Sequence, residues 1–496
     1  MHRTLKVVSC LIAAAALVSS QQAPVTEEVT VNARASTRPF PHYWEQMFGS
    51  GRAILSLRDS YRRDLRTMKS ATGIHYVRFH AIFDDEVGVY SEDDQGHPVY
   101  NWSYVDQIYD GLLDSGVRPF VEMSFMPRAL AASDKPHAFW FRPLPSPPKD
   151  FAKWEGLVYN FAKHLVDRYG VNEVSQWYFE VWNEPNIDFW SGEPKQSTYF
   201  ELYDHAARAV KRADPRLRVG GPATAQAAWI PDMIQHSVQS QVPLDFVSTH
   251  VYGNDLSKDV FGTDESISRA EMVARAAEKV YQQVKASARP ELPIIWSEYN
   301  ASYKNEIDVT DAAFMGPWLA NNIRLCDGLT AMMSYWTFSD VFEEQGVIKT
   351  PFYGGFGLIA EGGVPKAAFN AFAMLHRLGD QRSQPDLANA LVTKRSDGSF
   401  AIAIWNYAAP GTAGSPQKIH VSIDGWLGTP RYNVEILDPN HGSALAAWQA
   451  MSSPASPTRE QYEQLRREAV VTQKLDGTST FLLPYHGLAL VEVRPR

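Results

Sequence analysis

The chain has 496 residues, 45% of them apolar and 21% charged, which is the balance of an ordinary globular protein. This length exceeds one ordinary domain and accommodates a large barrel with an accessory domain. The formal net charge of −9, without any basic run, argues against nucleic acid as a partner. No glycine-rich loop of the kind that cradles nucleotide phosphates is found in the sequence.

Residues 1–20 have the pattern of a cleavable secretory signal. Arg3 and Lys6 precede the apolar run 7–18, and small residues end the segment. The apolar run is too short to cross a bilayer, and no later stretch is long enough. The pattern therefore predicts a secreted or periplasmic protein without a membrane partner.

The next segment, residues 21–41, contains one predicted strand. Val25–Ala33 alternates in the manner of a strand, and a proline-containing turn follows it. This strand lies outside the regular pattern that begins at residue 42. Our hypothesis is that it pairs with a sheet at the other end of the chain.

Between residues 42 and 378, apolar strand candidates alternate with helical patterns. The strand candidates are Met47–Ala53, Tyr76–Phe79, Arg118–Phe125, Trp177–Glu184, Val219–Pro222, Phe246–Tyr252, Ile294–Tyr299 and Ala331–Phe338. Helical patterns include Tyr104–Asp114, Phe151–Tyr169, Thr198–Ala213, Ser266–Ala286 and Asp311–Leu325. This alternation predicts an α/β fold, a closed parallel (β/α)8 TIM barrel. The alternative, an open doubly wound sheet, would need a glycine-rich first turn.

Residues 379–496 have a different character. The segments Leu391–Tyr407, Gln417–Ile423, Tyr432–Leu437 and Thr478–Val493 alternate and are separated by glycine-containing turns. That pattern is typical of an antiparallel β-sandwich. A helical insert is expected near residues 442–470, with a helix at Arg459–Glu468.

Two of the predicted barrel strands end in a glutamate. Glu184 follows the fourth strand in Trp-Asn-Glu-Pro-Asn, and Glu298 ends the seventh in Trp-Ser-Glu-Tyr-Asn. A carboxylate leaving a buried strand costs free energy unless it is paired or functional. Strands 4 and 7 lie across a closed barrel, so both carboxylates are expected in one cavity at its C-terminal face. Two facing carboxylates are the minimum equipment for glycoside hydrolysis.

Several further motifs resemble glycoside hydrolase family 39, within the clan of retaining (β/α)8 glycosidases, and most closely its β-xylosidase branch. The resemblance runs from Phe40 to beyond Ala368. Its motifs are Phe48–Arg52, Val77–His80, Arg118–Glu122, Phe125–Pro127, Pro147–Asp150, Tyr335–Asp340 and Gly354–Gly357. The resemblance implies an exo-acting, retaining hydrolase of terminal β-D-xylosyl residues that needs no cofactor.

The resemblance also implies the roles of the two glutamates: Glu184 as general acid/base and Glu298 as nucleophile. A nucleophile must stay ionised, and Arg78 is the candidate cation because a guanidinium can hold a carboxylate by two hydrogen bonds. Asn183 is expected to donate to the sugar 2-hydroxyl. Glu180 should point to the same face as Glu184 but lie deeper in the barrel, with no partner evident from the sequence.

Other substrate contacts follow from the same resemblance. His80 ends the second strand, and His250 and Tyr252 share one face of the sixth strand. An aromatic sugar platform is expected at Phe139, with Trp140 as the alternative.

The pair Glu343 and Glu344 follows strand 8, and one of them resembles the family's glycone-binding carboxylate; spacing favours Glu344. No metal site is predicted, since the sequence has no His-Glu-x-x-His motif or cysteine pair, and no third ligand joins His250 and Glu298.

Three functional hypotheses remain open from the sequence. The first is a β-xylosidase that acts on small oligosaccharides or glycosides. The second is another specificity on the same scaffold, either α-L-iduronidase or exopolysaccharide hydrolase. The third is a non-catalytic carbohydrate-binding protein, which would have no need of a poised pair of glutamates. Association of the chain into a homo-oligomer is left open.

Overall fold

A computed structural model describes residues 26–384, 386–412, 414–471 and 473–495. The predicted secretory signal lies outside these described residues. Eight parallel strands form a closed barrel. They are β1 (Met47–Gly49), β2 (Tyr76–Phe79), β3 (Arg118–Met123), β4 (Tyr178–Val181), β5 (Arg218–Thr224), β6 (Phe246–Tyr252), β7 (Ile294–Asn300) and β8 (Met332–Tyr335). Neighbours follow chain order and β8 pairs with β1, so the predicted TIM barrel is confirmed.

A helix follows each barrel strand. These are α1 (Asp59–Ala71), α2 (Ser103–Asp114), α3 (Phe151–Tyr169), α4 (Lys195–Ala213), α5 (Ile230–Gln239), α6 (Met272–Lys285), α7 (Met315–Cys326) and α8 (Ala367–Leu375). Shorter helical turns lie in the connections, at Ala53–Leu57, Val171–Val174, Ala225–Ala227, Ser257–Phe261 and Ile307–Thr310. Within the described residues, no helix combines the length and the apolar character that crossing a membrane requires.

The longest helices show why the barrel layer forms. In α3, Asp150 caps the first turn by accepting hydrogen bonds from the backbone N–H groups of Ala152 and Lys153, at 2.8 and 3.1 Å. Trp154 and Phe161 lie on the buried face of this helix. A capped start and one apolar stripe are the features that let a helix pack against a sheet.

Strand β4 is shorter than the sequence predicted. It ends at Val181 instead of Glu184, because Trp182 and Glu184 have φ angles of 72° and 44°, outside the region that a strand permits. The chain therefore turns before Glu184, which places this glutamate above the end of the strand.

The barrel interior is divided along its axis. Met47, Phe246 and Met332, each the first residue of its strand, belong to one apolar cluster with Phe120 and Ile295. Polar side chains follow further along the strands, towards their carboxyl ends. The polar end of the barrel is therefore the end at which a site can form.

Most of the remaining strands form two further sheets. The larger contains Thr37–Pro39, Gln381–Ser383, Ala390–Lys394, Phe400–Asn406, Gly487–Pro495, Pro430–Leu437 and Gln473–Asp476, in that order. The smaller contains Thr26–Asn32, Gln417–Asp424 and Thr480–Leu483. The pairs within the larger sheet are antiparallel, as predicted for a sandwich. Thr26–Asn32 pairs in parallel with Gln417–Asp424, so the N-terminal strand belongs to this unit.

Smaller elements complete the fold. Two-stranded hairpins join Tyr90–Glu92 to Pro98–Tyr100 and Ile359–Ala360 to Val364–Pro365. The helical insert consists of Leu445–Ala450 and Arg459–Glu468. Its Trp448 packs 5.5 Å from Phe352, which lies in the connection between β8 and α8. The accessory region therefore supports a loop at the polar end of the barrel.

Candidate active site

A cavity of about 350 Å³ opens at the carboxyl ends of the barrel strands. Its lining residues are His80, Phe139, Asn183, Glu184, Ile187, Phe189, Ala225, Gln226, Tyr252, Asp255, Glu298, Tyr303, Trp336, Glu344 and Phe356. Four of these carry carboxyl groups, and no lysine or arginine is among them. The cavity is thus acidic and partly aromatic, a surface suited to a hydroxylated, uncharged ligand.

The two strand-end glutamates meet in this cavity. Glu184 is held by its backbone N–H, which donates to the carbonyl oxygen of Ala223 at 2.8 Å. One carboxylate oxygen of Glu184, one of Glu298 and a ring nitrogen of His250 lie within 4.8 Å of one another. Carboxyl groups about 5–5.5 Å apart are typical of retaining glycosidases, whereas inverting enzymes leave about 6.5–9.5 Å for a water molecule. The geometry therefore suits double displacement.

Glu298 accepts two hydrogen bonds from opposite sides. Arg78 Nη1 donates to Oε1 at 2.8 Å, and the Tyr252 hydroxyl donates to Oε2 at 2.6 Å. The sequence-based expectation of a two-point contact from Arg78 to Glu298 is wrong, because the guanidinium distributes its donors among several acceptors. Each oxygen of Glu298 has its own donor instead.

Arg78 is the centre of a buried charge network. Its Nε donates to Glu180 at 2.6 Å, and its Nη2 lies 2.9 Å from both Asn183 Oδ1 and Glu122 Oε2. This supplies the partner of Glu180 that sequence analysis could not name. Arg78 is fully buried beneath the cavity and is not part of its lining, so the prediction that it contacts substrate is wrong. It orients Asn183 and Glu298, which do line the cavity.

Glu184 is held by a histidine that is itself completely buried. His250 Nδ1 lies 2.9 Å from Glu184 Oε1, and its Nε2 lies 3.1 Å from Ser297 Oγ. Burial, with the charges of Arg78 and His80, holds the pKa of His250 well below its usual range, so the ring is neutral. Both ring nitrogens are engaged by the protein, which corrects the expectation that His250 contacts the sugar. Sequence analysis missed Ser297, although its place beside Glu298 was visible.

The two glutamates differ in their readiness to take up a proton. Burial raises the pKa of Glu184 well above its usual range, and the neighbouring charges of Glu298 and Asp255 raise it further. Burial also raises the pKa of Glu298, but Arg78, His80 and the Tyr252 hydroxyl oppose that effect. A single proton shared by the pair therefore resides on Glu184.

His80 connects the network to the far wall of the cavity. Its Nδ1 lies 2.6 Å from Glu122 Oε2, while its Nε2 lies 3.8 Å from Glu298 and 3.7 Å from Glu344. Burial lowers the pKa of His80, but the charge of Glu122 and the hydrogen bond to it outweigh this effect and raise the pKa. Glu122 is a second residue that sequence analysis did not assign to the site, although it was quoted in a motif.

The structure distinguishes the two adjacent glutamates that follow β8. Glu344 lines the cavity, and burial raises its pKa to about 8. Glu343 points away and pairs with Arg58 and with Arg52, the latter at 3.2 Å. Glu344, favoured by spacing in the sequence, is therefore the one that faces the cavity.

The two aromatic candidates separate in the same way. Phe139 lines the cavity, packed 5.2 Å from Phe189. Trp140 is 53% exposed and its ring lies beside Arg52, at 5.7 Å. Phe139 is thus in position to meet a ligand, and Trp140 is outside the cavity.

Among the residues that the structure describes, two groups of side chains have the spacing of metal ligands. One consists of Glu184, His250 and Glu298, so the third ligand that the sequence did not reveal is Glu184. The guanidinium of Arg78, 2.8 Å from Glu298, opposes a second cation there. The other group is His42, Glu45 and His376.

A closed (β/α)8 barrel with paired glutamates in an acidic cavity above its strands is the architecture of a glycoside hydrolase. The sequence profile of glycosyl hydrolases family 39 matches residues 27–478. A beta-xylosidase of Geobacillus stearothermophilus is 36% identical over 471 residues, covering 92% of this chain and 93% of that protein.

Solved structures agree with these sequence matches. A monomeric beta-xylosidase from Caulobacter crescentus CB15 is 33% identical, with a TM-score of 0.84, covering 95% of this chain and 99% of that chain. The GH39 enzyme from Xanthomonas axonopodis pv. citri is 31% identical, with a TM-score of 0.86, covering 97% and 99%. The chain belongs to glycosyl hydrolases family 39.

Proposed function

We propose that this protein is a retaining exo-β-xylosidase that releases terminal β-D-xylosyl residues from xylo-oligosaccharides or small xylosides. One observation carries the proposal: oxygens of Glu184 and Glu298 lie within 4.8 Å of one another in one cavity. This spacing is that of a nucleophile and an acid/base that act on the same glycosidic bond. The beta-xylosidases it resembles along most of its length support the choice of glycone.

Glu298 acts as the nucleophile and Glu184 as the acid/base. In the first step an oxygen of Glu298 bonds to the anomeric carbon, while Glu184 gives its proton to the departing glycosidic oxygen. In the second step Glu184 takes a proton from water, whose oxygen attacks the anomeric carbon and releases Glu298. The raised pKa of Glu184 keeps it protonated for the first step.

Asn183 binds the sugar beside the reacting carbon. Its Oδ1 accepts a hydrogen bond from Arg78 Nη2 at 2.9 Å, which directs the amide Nδ2 group to serve as a donor in the cavity. A donor to the 2-hydroxyl strengthens in the transition state and so lowers the barrier. His80 and Glu344, on the opposite wall, are in position to bind the remaining hydroxyls.

The charges of the cavity favour a neutral glycone. An iduronide carries a carboxylate, and the described lining residues include no lysine or arginine to bind it. The one candidate cation among them, His80, is already paired with Glu122 at 2.6 Å. Glu344 would repel that carboxylate when it is ionised. A neutral pentose has no such conflict, and this is the observation that ranks xylose above iduronate.

The loop arrangement favours removal of terminal residues. The backbone N–H of Trp140 donates to the carbonyl oxygen of Glu344 at 2.8 Å, joining the loop after β3 to the loop after β8. This bridge lies at the Phe139 and Glu344 end of the cavity. We infer that this joined pair of loops limits the space beyond a terminal sugar at that end.

The experiment that tests the nucleophile is substitution of Glu298 with rescue by azide. We expect Glu298→Ala to abolish hydrolysis of an aryl β-xyloside while the fold is preserved, because the first covalent bond cannot form. Azide should restore turnover and give an α-xylosyl azide of inverted configuration. Glu278→Ala, on the exposed side of α6, is the control and should retain activity. Full activity of Glu298→Ala would refute the role.

A panel of aryl glycosides tests the glycone. We expect the aryl β-xyloside to have the highest kcat/KM among xyloside, glucoside, arabinoside and iduronide. Preference for the iduronide would contradict our proposal that the cavity charges favour a neutral glycone. Binding of xylosides without any turnover would favour the non-catalytic alternative.

A further inference from the structure

One wall of the cavity supplies neither the nucleophile nor the acid/base. Gln226, Asp255 and Tyr303 line it, from the loops that follow β5, β6 and β7. Their amide, carboxyl and phenol groups are the kinds that bind sugar hydroxyls and the faces of sugar rings.

The order of strands around the barrel locates this wall. β5 and β6 separate β4 from β7 on one side, whereas β8, β1, β2 and β3 separate them on the other. Gln226 and Asp255 belong to the first side. His80, Phe139 and Glu344 belong to the second side. A line between Glu184, which follows β4, and Glu298, near the end of β7, therefore divides the cavity into two halves.

Glu184 makes its contacts on the β5–β6 half, whereas Glu298 is held from both halves. Glu184 is tied to β5 through Ala223, at 2.8 Å, and to β6 through His250, at 2.9 Å. Glu298 Oε1 accepts from Arg78 Nη1 of β2 at 2.8 Å, and its Oε2 accepts from the Tyr252 hydroxyl of β6 at 2.6 Å. The position of the acid, Glu184, therefore decides where the leaving group lies. The acid protonates the leaving oxygen and the nucleophile attacks the sugar carbon. The leaving group therefore lies over the β5–β6 half, and the glycone over the other.

The wall is already assembled by hydrogen bonds within the protein. Asp255 Oδ2 accepts from the backbone N–H of Tyr252 at 2.7 Å, which fixes the carboxyl group. Asn254 joins the two loops, because its Oδ1 accepts from the Tyr303 N–H at 3.0 Å and its Nδ2 donates to Ser302 at 3.0 Å. Tyr303 is 44% exposed, an open aromatic face at this wall.

Gln226 is held in an equally defined place. Its φ of 60° is in the left-handed region, and Asn186 brackets the preceding residue by bonding both the N–H and the carbonyl of Ala225, at 2.9 and 3.1 Å. Burial raises the pKa of Asp255 to about 7, so near neutral pH its carboxyl group exists in both donor and acceptor forms. The side chains of Gln226 and Asp255 are therefore suited to hydrogen-bond sugar hydroxyl groups.

We propose that Gln226, Asp255 and Tyr303 form a leaving-group subsite that binds the second pyranose ring of the substrate. The ring face rests on Tyr303, and its hydroxyls bond to Gln226 and Asp255. This inference rests on the proposed function and extends it. It states that the protein selects a sugar as leaving group over a simple alcohol.

The test compares xylobiose with methyl β-xyloside in Gln226→Ala, Asp255→Asn and Tyr303→Ala. Both substrates need Glu184 to protonate a poor leaving group, but only xylobiose has a second ring. In each variant we expect the ratio of kcat/KM for xylobiose to that for methyl xyloside to fall about tenfold, the effect of losing about 1.4 kcal/mol. Asp264→Asn, an exposed site on the same connection, should leave the ratio unchanged.

The alternatives give different results. Equal losses on both substrates in Asp255→Asn would mean that Asp255 acts through the proton of Glu184, and would remove it from the subsite. Unchanged ratios in all three variants would overturn the subsite. Failure of the unsubstituted protein to hydrolyse any β-xyloside would refute the proposed function itself.

Discussion

At the scale of single residues, Arg78 has the greatest effect on the site. It is fully buried and contacts Glu122, Glu180 and Glu298. Removing the cation of a buried charge pair lowers the free energy of unfolding by about 3–5 kcal/mol, because the remaining carboxylates are uncompensated. Arg78 therefore links folding to catalysis: the same cation that holds the barrel interior keeps Glu298 ionised.

The residue-scale prediction concerns the proton of Glu184. Because burial raises its pKa, Glu184 loses the proton at a higher pH than an exposed glutamate would, and kcat/KM for xylobiose should fall as pH rises through that pKa. In Glu184→Gln this alkaline limb should disappear, with a loss of about 10²–10⁴-fold on xylobiose. Aryl xylosides with good leaving groups should lose less.

Two other carboxyl groups of the cavity, Asp255 and Glu344, could produce the same limb, and variants separate them from Glu184. Burial raises the pKa of Asp255 to about 7, and Asp255→Asn should keep the alkaline limb. The pKa of Glu344 is raised to about 8 by burial. Glu344→Gln should keep the alkaline limb, whatever its effect on KM. If the limb disappeared in Glu344→Gln but persisted in Glu184→Gln, the titrating group would be Glu344. That result would contradict our mechanism.

At the scale of elements, the connection from β8 to α8 is held by a buried lysine. Lys366 Nζ lies 2.6 Å from both Asp311 and Asp340 and donates to the carbonyl oxygen of Gly355 at 2.9 Å. The same aspartates accept backbone N–H groups of Gly354 and Gly357, at 2.6 and 2.7 Å. These contacts fix the Gly-Gly-Phe-Gly segment whose Phe356 lines the cavity.

We predict that Lys366→Met lowers the free energy of unfolding by about 3–5 kcal/mol, since it leaves two buried carboxylates without a cation. Urea denaturation measures this directly. Lys349→Met, at an exposed position of the same connection, should change stability by less than about 0.5 kcal/mol. Adding Asp311→Asn and Asp340→Asn to Lys366→Met should recover part of the loss. No recovery would show that the packing of the lysine chain matters more than its charge.

At the scale of the whole molecule, part of the sandwich packs into the apolar core of the barrel, while the rest of the sandwich has a buried cluster of its own. Leu437, Leu488 and Leu490 of the sandwich belong to the same buried cluster as the barrel residues. Arg377, just after α8, is 2.7 Å from Glu492 of the last strand. The two units are therefore expected to unfold together, in a single transition.

The N-terminal strand tests this coupling. Val29 and Val31 are buried in the sandwich. Replacing each by alanine should lower the free energy of unfolding by about 2 kcal/mol, because buried methyl groups are lost and a cavity is left. Loss of activity and loss of secondary structure on heating should move to lower temperature together. Thr30→Ala, on the exposed face, is the control. Loss of the sandwich while activity persists would contradict a single transition.

The sequence by itself determined the barrel, because eight apolar segments alternating with helical patterns leave few ways to bury them. It also marked Glu184 and Glu298 as a pair, since both were predicted near the carboxyl ends of buried strands. The sequence did not predict where individual strands end. Strand β4 ends before Glu184, and this depends on left-handed backbone angles at Trp182 and Glu184 that an apolar pattern does not reveal.

Only the tertiary structure decided how the charges are shared. Arg78, Glu122 and Glu180 come from three strands, and their contacts depend on side chains meeting across the barrel interior. The choice of Glu344 over Glu343, one residue apart, likewise depends on which side chain turns towards the cavity. Periodicity specifies which residues are buried, whereas the partner of a buried charge is set by distances between segments remote in sequence.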